Sequence, residues 1–185
     1  TLEVRVPTLF SKQNIAGDMG KSELELQYIA EYNSKQREYK RIHKKSYDQL
    51  VGERGWPLMK LERYPEARSA ARAAIKTKRT WQESLGWNVL CAVEAELGNR
   101  KLGQENCEKA LFHARDTDSG IAIDASNAAN ASFAALDFEK VEKYAIEATA
   151  AGGTTAPAWM NLVDLYLSQG RGDAALDAMK GLRQS

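Results

Sequence analysis

The chain has 185 residues, 43% of them hydrophobic, with 13 Gly and 4 Pro, enough apolar material to bury the core of one elongated domain. It holds no run of about 18 apolar residues to span a bilayer and no basic start followed by an apolar core that would read as a signal peptide. The formal net charge of +1 hides an asymmetry: residues 1–80 carry 17 Lys and Arg against 10 Asp and Glu, while the remainder carry 9 against 15.

At the start, Leu2, Val4 and Val6 alternate with polar residues and read as a short strand before Pro7. Residues 1–22 are therefore expected as an extended segment: a linker, an edge strand or a tail. Gly20, Lys21 and Ser22 match part of a phosphate-binding loop, but Ile15 stands where such a loop needs glycine for its amides to wrap a phosphate. Ser22 with Glu25 reads instead as a capping box opening a helix.

From Glu23 to about Val51, strong helix formers carry a stripe of Leu26, Ile29, Tyr32, Gln36, Tyr39 and Ile42. This predicts a long N-terminal helix, whole or in two parts, packing its stripe inward and capping the downstream helices with its charged face. A partner-binding or coiled-coil helix is the alternative, although the heptad run is short and polar. Lys35, Arg37, Lys40, Arg41, Lys44 and Lys45, with Tyr39 and His43 between them, form a basic stripe. It reads as a solvated helix face or, alternatively, as a surface that tracks a phosphate backbone; no RNA-binding motif accompanies it.

Downstream the pattern becomes pairs of short helices. Tyr64, Ala67, Ala71 and Ala74 share a helix face, preceded by Gly55 and by Pro57, which should bend the preceding helix or make it begin late. Trp87, Leu90 and Cys91 precede Gly98, and Gly103, Cys107 and Ala110 supply small residues on the next helix. Asp116–Gly120 reads as a turn. Val141 and Ala145 follow in a unit that begins at Ala122. In the last stretch Trp159, Leu162, Val163 and Tyr166 share one face, and beyond Gly170 so do Ala175, Met179 and Leu182.

This spacing resembles the tetratricopeptide repeat, whose unit of roughly thirty-four residues carries W-x2-L-G-x2-Y in its first helix and A-x3-F in its second. Trp159, Leu162, Tyr166 and Ala175 match directly, Val163 replaces the glycine and Met179 the aromatic. The resemblance covers roughly Asp48 to Leu182. It implies an all-α fold, a right-handed superhelix of tetratricopeptide-like helix pairs behind the N-terminal helical cap, over residues 23–185. Repeats are expected at about 48–83, 84–121, 122–155 and 156–185.

Cys91 and Cys107 fall where the two helices of one unit approach closely, so free thiols acting as small hydrophobes are expected, although they could face each other. Reduced thiols would suit a cytoplasm. His43 and His113 lack metal-ligand spacing with them, and no metal or cofactor is expected. There is no Gly-x-Ser-x-Gly elbow, no metalloprotease helix and no Cys supported by His at a recognisable spacing, so no catalytic residue is assigned and a non-enzymatic protein is expected. Trp87 and Trp159 should pack in the core, and Trp56 and Trp81 should seal joints between repeats.

Stacked first helices would leave one shared face, which in curved repeat proteins becomes a concave groove. Here it would present Asn88, Ser126, Asn127, Asn130, Phe133, Met160, Asn161, Asp164 and Leu167, together with Ala92, Ile123 and Pro157. A carboxamide can both donate to and accept from a peptide bond, so Asn127 and Asn161 could hold an extended chain. The expected function is a scaffold that binds another protein or peptide segment there; Asn127→Ala with Asn161→Ala should then weaken binding while leaving stability nearly unchanged. The face lacks the Lys and Arg with which related proteins grip carboxylate tails. Self-association through Leu176, Met179 and Leu182 of the last helix is a second expectation, and nucleic-acid binding through the basic stripe a third.

Overall fold

One type of turn, used five times, sets the architecture. Gly20, Glu62, Gly98, Leu136 and Gly170 each adopt a left-handed conformation, with φ between 58° and 76°. Each closes a helix by the same two bonds: Asn99 N–H reaches Glu94 O at 2.8 Å and Gly98 N–H reaches Ala95 O at 3.0 Å, and the other four repeat this pattern. Such turns satisfy helix-end carbonyls and reverse the chain, so each one joins a pair of helices. Glycine adopts this conformation at little cost, whereas Glu62 and Leu136 hold it against their Cβ atoms.

The computed structural model describes residues 2–43, 50–117, 120–152 and 156–184, and among these every regular element is helical. The pairs are α1 (Leu2–Asp18) with α2 (Ser22–His43), α3 (Gly55–Lys60) with α4 (Tyr64–Lys76), α5 (Thr80–Glu96) with α6 (Arg100–Thr117), α7 (Ile121–Ala134) with α8 (Phe138–Ala151), and α9 (Ala156–Ser168) with α10 (Gly172–Gln184). A 3-10 turn, Gly52–Arg54, precedes α3. From α3 onward each helix packs on the next, and the first helices also touch their counterparts: α3 with α5, α5 with α7, α7 with α9. The protein is all-α and repeat-like.

The N-terminal expectation is overturned. Residues 2–18 form a helix rather than an extended segment. Leu9, Gln13 and Ala16, at helical spacing, are buried against α2, and the Phe10 and Tyr32 rings meet at 6.3 Å. Two or three alternating residues cannot outweigh that packed face. The helix expected from Glu23 runs from Ser22 to His43; residues 44–49 lie outside the described residues. Of its stripe, Ile29, Tyr32, Gln36 and Tyr39 are buried, Leu26 packs against the next core and Ile42 is exposed. Asn33 then clasps Leu50, accepting from its N–H at 2.9 Å and donating to its carbonyl at 3.2 Å.

The capping box is not formed either. Glu25 N–H bonds to Lys21 O, and the buried Glu25 carboxylate lies against Gly17, where an added Cβ would sit 3.0 Å from Oε1. Burial pushes this carboxyl up; Lys60 opposes the shift and Asp18 adds to it.

Pro57 acts as its chemistry demands: α3 begins late, with Pro57 in its first turn, where a missing N–H costs nothing. Alanine dominates the core of α5 to α10, including Ala125, Ala128, Ala129, Ala145, Ala158 and Ala175, and lets the helices approach closely. Leu111 and Leu165, fully buried, anchor it, each contributing about 1.5–3 kcal/mol. Gly86 permits a close approach to the backbone of α4, since a Cβ there would lie 2.6 Å from the Ala71 carbonyl oxygen. Trp87 and Trp159 are half-buried against the cores as expected, the Trp159 indole resting on Gly181.

Cys91 and Cys107 are not free thiols. They form a disulfide between α5 and α6 with a Cα separation of 5.1 Å. The close approach anticipated from their repeat positions brings the sulfurs within bonding reach, and the pair no longer argues for a reducing compartment.

Candidate interaction face

Because α3, α5, α7 and α9 touch in succession, the first helices of four pairs form one row. Polar bonds stitch this row. Asn127 Nδ2 donates to Asn88 Oδ1 at 2.9 Å, and Asn161 Nδ2 donates to Asn130 Oδ1 at 2.7 Å. The asparagines expected to hold a partner therefore hold each other. Asn88 and Asn161 are buried and committed, whereas Asn127 is half-buried and Asn130 exposed.

Ser126 does not belong to the face. It is buried at 4%, and its Oγ lacks a hydrogen-bond partner. Met160 and Leu167 of α9 are exposed at 55% each, and Ile123 of α7 at 58%. Asp164 and Pro157 are exposed beside them, Ala92 is half-buried, and half-buried Phe133 meets Phe138 edge to face at 5.9 Å.

The residue that the sequence reading missed is Asp124, in the first turn of α7. Only 4% exposed, it accepts from Ser84 Oγ at 2.6 Å and from Asn88 Nδ2. Burial pushes its carboxyl up, and the two donors only partly offset this. Asp124 lines a cavity of about 320 Å³ with Glu53, Trp56, Trp81, Ser84, Leu85, Asn88, Gly120 and Ile123. Burial, and then the nearby Glu25, raise the Glu53 carboxyl as well. A signal did exist: Asp124 lies one helical turn before Ala128, on a helix whose neighbours are small and apolar.

Elsewhere the charges serve packing. Arg68 grips Glu94 through two bonds, at 2.9 and 2.6 Å, and Asn99 adds a third; burial pushes the Glu94 carboxyl up, but these bonds and the Arg68 charge win and hold it below its ordinary value. On the second helices, Arg115 of α6 pairs with Glu147 of α8, and Lys140 of α8 with Glu108 of α6 at 2.8 Å.

The basic stripe is only partly a surface. Lys35 pairs with Glu38 at 2.8 Å, Tyr39 is buried and so unavailable for stacking on bases, and Arg37, Lys40 and Arg41 are exposed. Lys44 and Lys45 lie outside the described residues, as does the His43 side chain. On α10, Leu176 is exposed at 58% and Met179 at 38%, with Leu182 half-buried; Ala175 and Ala178 take the core positions. Met179 thus lies outside the face assigned to it, since alanine spacing suits the close contact with α9. Among the described residues no helix is long and apolar enough to cross a membrane, and no group of three His, Cys, Asp or Glu could hold a metal ion.

Neither a family model nor a curated protein matches the chain. Among solved structures it is similar to the crystal structure of BtubC (BKLC) from P. vanneervenii. The match has a TM-score of 0.55 and 17% sequence identity and covers all of this chain and 74% of that one. At this identity the likeness establishes a shared helical fold alone.

Proposed function

We propose that the chain is a non-enzymatic scaffold of tetratricopeptide-like repeats that binds an extended or helical segment of another protein along the shared face of its first helices. The observation that carries this reading is the row of exposed apolar side chains, Ile123, Met160 and Leu167, beside a bonded asparagine ladder. Apolar side chains held together at a surface supply the burial that docks a partner segment.

Curvature toward that face is supported by an asymmetry in the packing. First helices meet their counterparts directly, while α6 and α8 are bridged by long side chains, Arg115 to Glu147 and Lys140 to Glu108. A stack that is tighter on one side bends toward it, making a groove. The face would then supply burial through Phe133, Met160 and Leu167 and polar contacts through Asn127, Asn130 and Asp164.

The test compares quantitative affinity capture by the wild type and by Met160→Ser with Leu167→Ser. Both side chains are exposed, so melting should barely change while the captured partner is lost. Equal retention of the same proteins by both forms would sink the reading.

A further inference from the structure

At the end of that row, where the 3-10 turn, α3, α5 and α7 converge, lies the cavity lined by Trp56, Trp81, Glu53 and Asp124. Its chemistry differs from the rest of the face. Asp124 is almost wholly buried, and the groups bonded to it are a neutral hydroxyl and a neutral amide; among the described residues neither Asp124 nor Glu53 has an ion-pair partner. A buried carboxylate without a cation is costly, and the amino end of α7 supplies only partial positive charge. Two indoles, Trp56 half-buried and Trp81 exposed at 40%, line it beside Leu85 and Ile123. Indole faces attract cations, arginine above all, and two carboxylates beside two indoles make a lining complementary to a guanidinium or ammonium carried on an apolar stem.

We propose that this cavity receives one basic side chain, arginine or lysine, from the partner segment that lies along the first helices. This rests on the reading of the face as a docking surface and adds the class of residue that the segment must carry. Ser84 and Asn88 act as positioning residues: by donating to Asp124 they fix its oxygens at the cavity wall. The apolar row would hold the segment, and the cavity would set its register by a single charge, since a neutral residue there would leave both carboxylates unpaired.

The test uses the full chain and two small probes, N-acetyl-L-arginine methylamide and its uncharged citrulline analogue. Binding is read from the indole N–H resonances. The arginine probe should shift Trp56 and Trp81 saturably and leave Trp87 and Trp159 still, while the citrulline probe should shift none. Glu53→Gln or Trp81→Ala, each with an unchanged fold by circular dichroism, should weaken the arginine probe about tenfold. Equal shifts from both probes, or unchanged affinity in both variants, overturn the proposal.

A second arm selects peptides from a displayed random library. Selected peptides should share a basic residue whose replacement by citrulline costs affinity for the wild type but not for Glu53→Gln. Peptides that need Met160 and Leu167 yet carry no basic residue would sink the cation site and leave the docking face intact. A saturable arginine probe with no selectable peptide would support the cation site and sink the docking face.

Discussion

Asn127 donates its side-chain amide to Asn88 Oδ1 at 2.9 Å, joining α7 to α5 through the face itself. Asn88 in turn donates to Asp124, so a chain of three side chains crosses the boundary between neighbouring pairs. Asn127→Ala would strip the donor from an amide oxygen on a residue only 8% exposed. A loss of about 1 kcal/mol is expected, read as a lower urea midpoint at constant slope. Asn161→Ala should cost less, because water can replace it at exposed Asn130. The double variant is thus a stability probe first, contrary to the expectation that it would report binding alone. A midpoint equal to that of the wild type would show that solvent already satisfies Asn88.

The Cys91–Cys107 bridge closes a loop of sequence separation 16 across the α5–α6 turn. Cross-linking removes conformations from the unfolded chain, and a loop of this size corresponds to about 3 kcal/mol. The reduced protein and Cys91→Ala with Cys107→Ala should therefore melt at closely similar, lower temperatures. Both sulfurs are buried, so reduction of the folded protein should be slow and should speed up in mild denaturant. An unchanged melting temperature after verified reduction would mean that the α5–α6 contact already restricts the unfolded loop.

Helix pairing was legible in the sequence because Trp87, Leu90, Trp159, Leu162 and the glycines at 98 and 170 recur at matching places, and these residues pack or turn as their positions require. The first helix, α1, was not legible. Leu9, Gln13 and Ala16 form a helical stripe, but one of the three is polar and the preceding valines alternate, so the shorter period dominated the reading. Asn88 and Asn127 were found by their places on the helices, while their bond was not, because spacing on one helix says nothing of distance to the next. Asp124 escaped for a similar reason: its importance lies in burial and in donors 36 and 40 residues away in sequence. The disulfide needed a Cα separation that only coordinates supply.

Leu136 occupies the turn position that glycine fills in three of the other pairs, and holds φ at 61° with its side chain 67% exposed. Left-handed backbone costs a non-glycine residue about 1–2 kcal/mol, and glycine's extra unfolded entropy returns part of the gain. Leu136→Gly should stabilise by about 1 kcal/mol in chemical denaturation. Leu136→Ala is the control, since it removes the same exposed side chain but keeps a Cβ; it should give no comparable gain. Equal stabilisation by both would locate the effect in the exposed leucine rather than in the backbone.

Glu53 offers a test in which the sign decides. Burial, and after it the charge of Glu25, hold its carboxyl above the ordinary glutamate value in the folded chain. As pH rises, the unfolded chain releases this proton first, so folding stability falls from the ordinary value through the raised one, and the penalty persists at neutral pH. Glu53→Gln removes the titration. Without any cationic probe, the variant should melt higher than the wild type at neutral pH, and the two curves should converge on acidification toward the ordinary carboxylate range. Glu94 has the opposite sign, its carboxyl held low on balance by Arg68 and Asn99, so its contribution is lost as pH falls below the ordinary value. Because Glu94 is present in both proteins, it shapes the acid limb of each curve and cancels in their difference. Two curves parallel at every pH would show that Glu53 is solvated as in a free chain, removing one of the two charges assigned to the cavity.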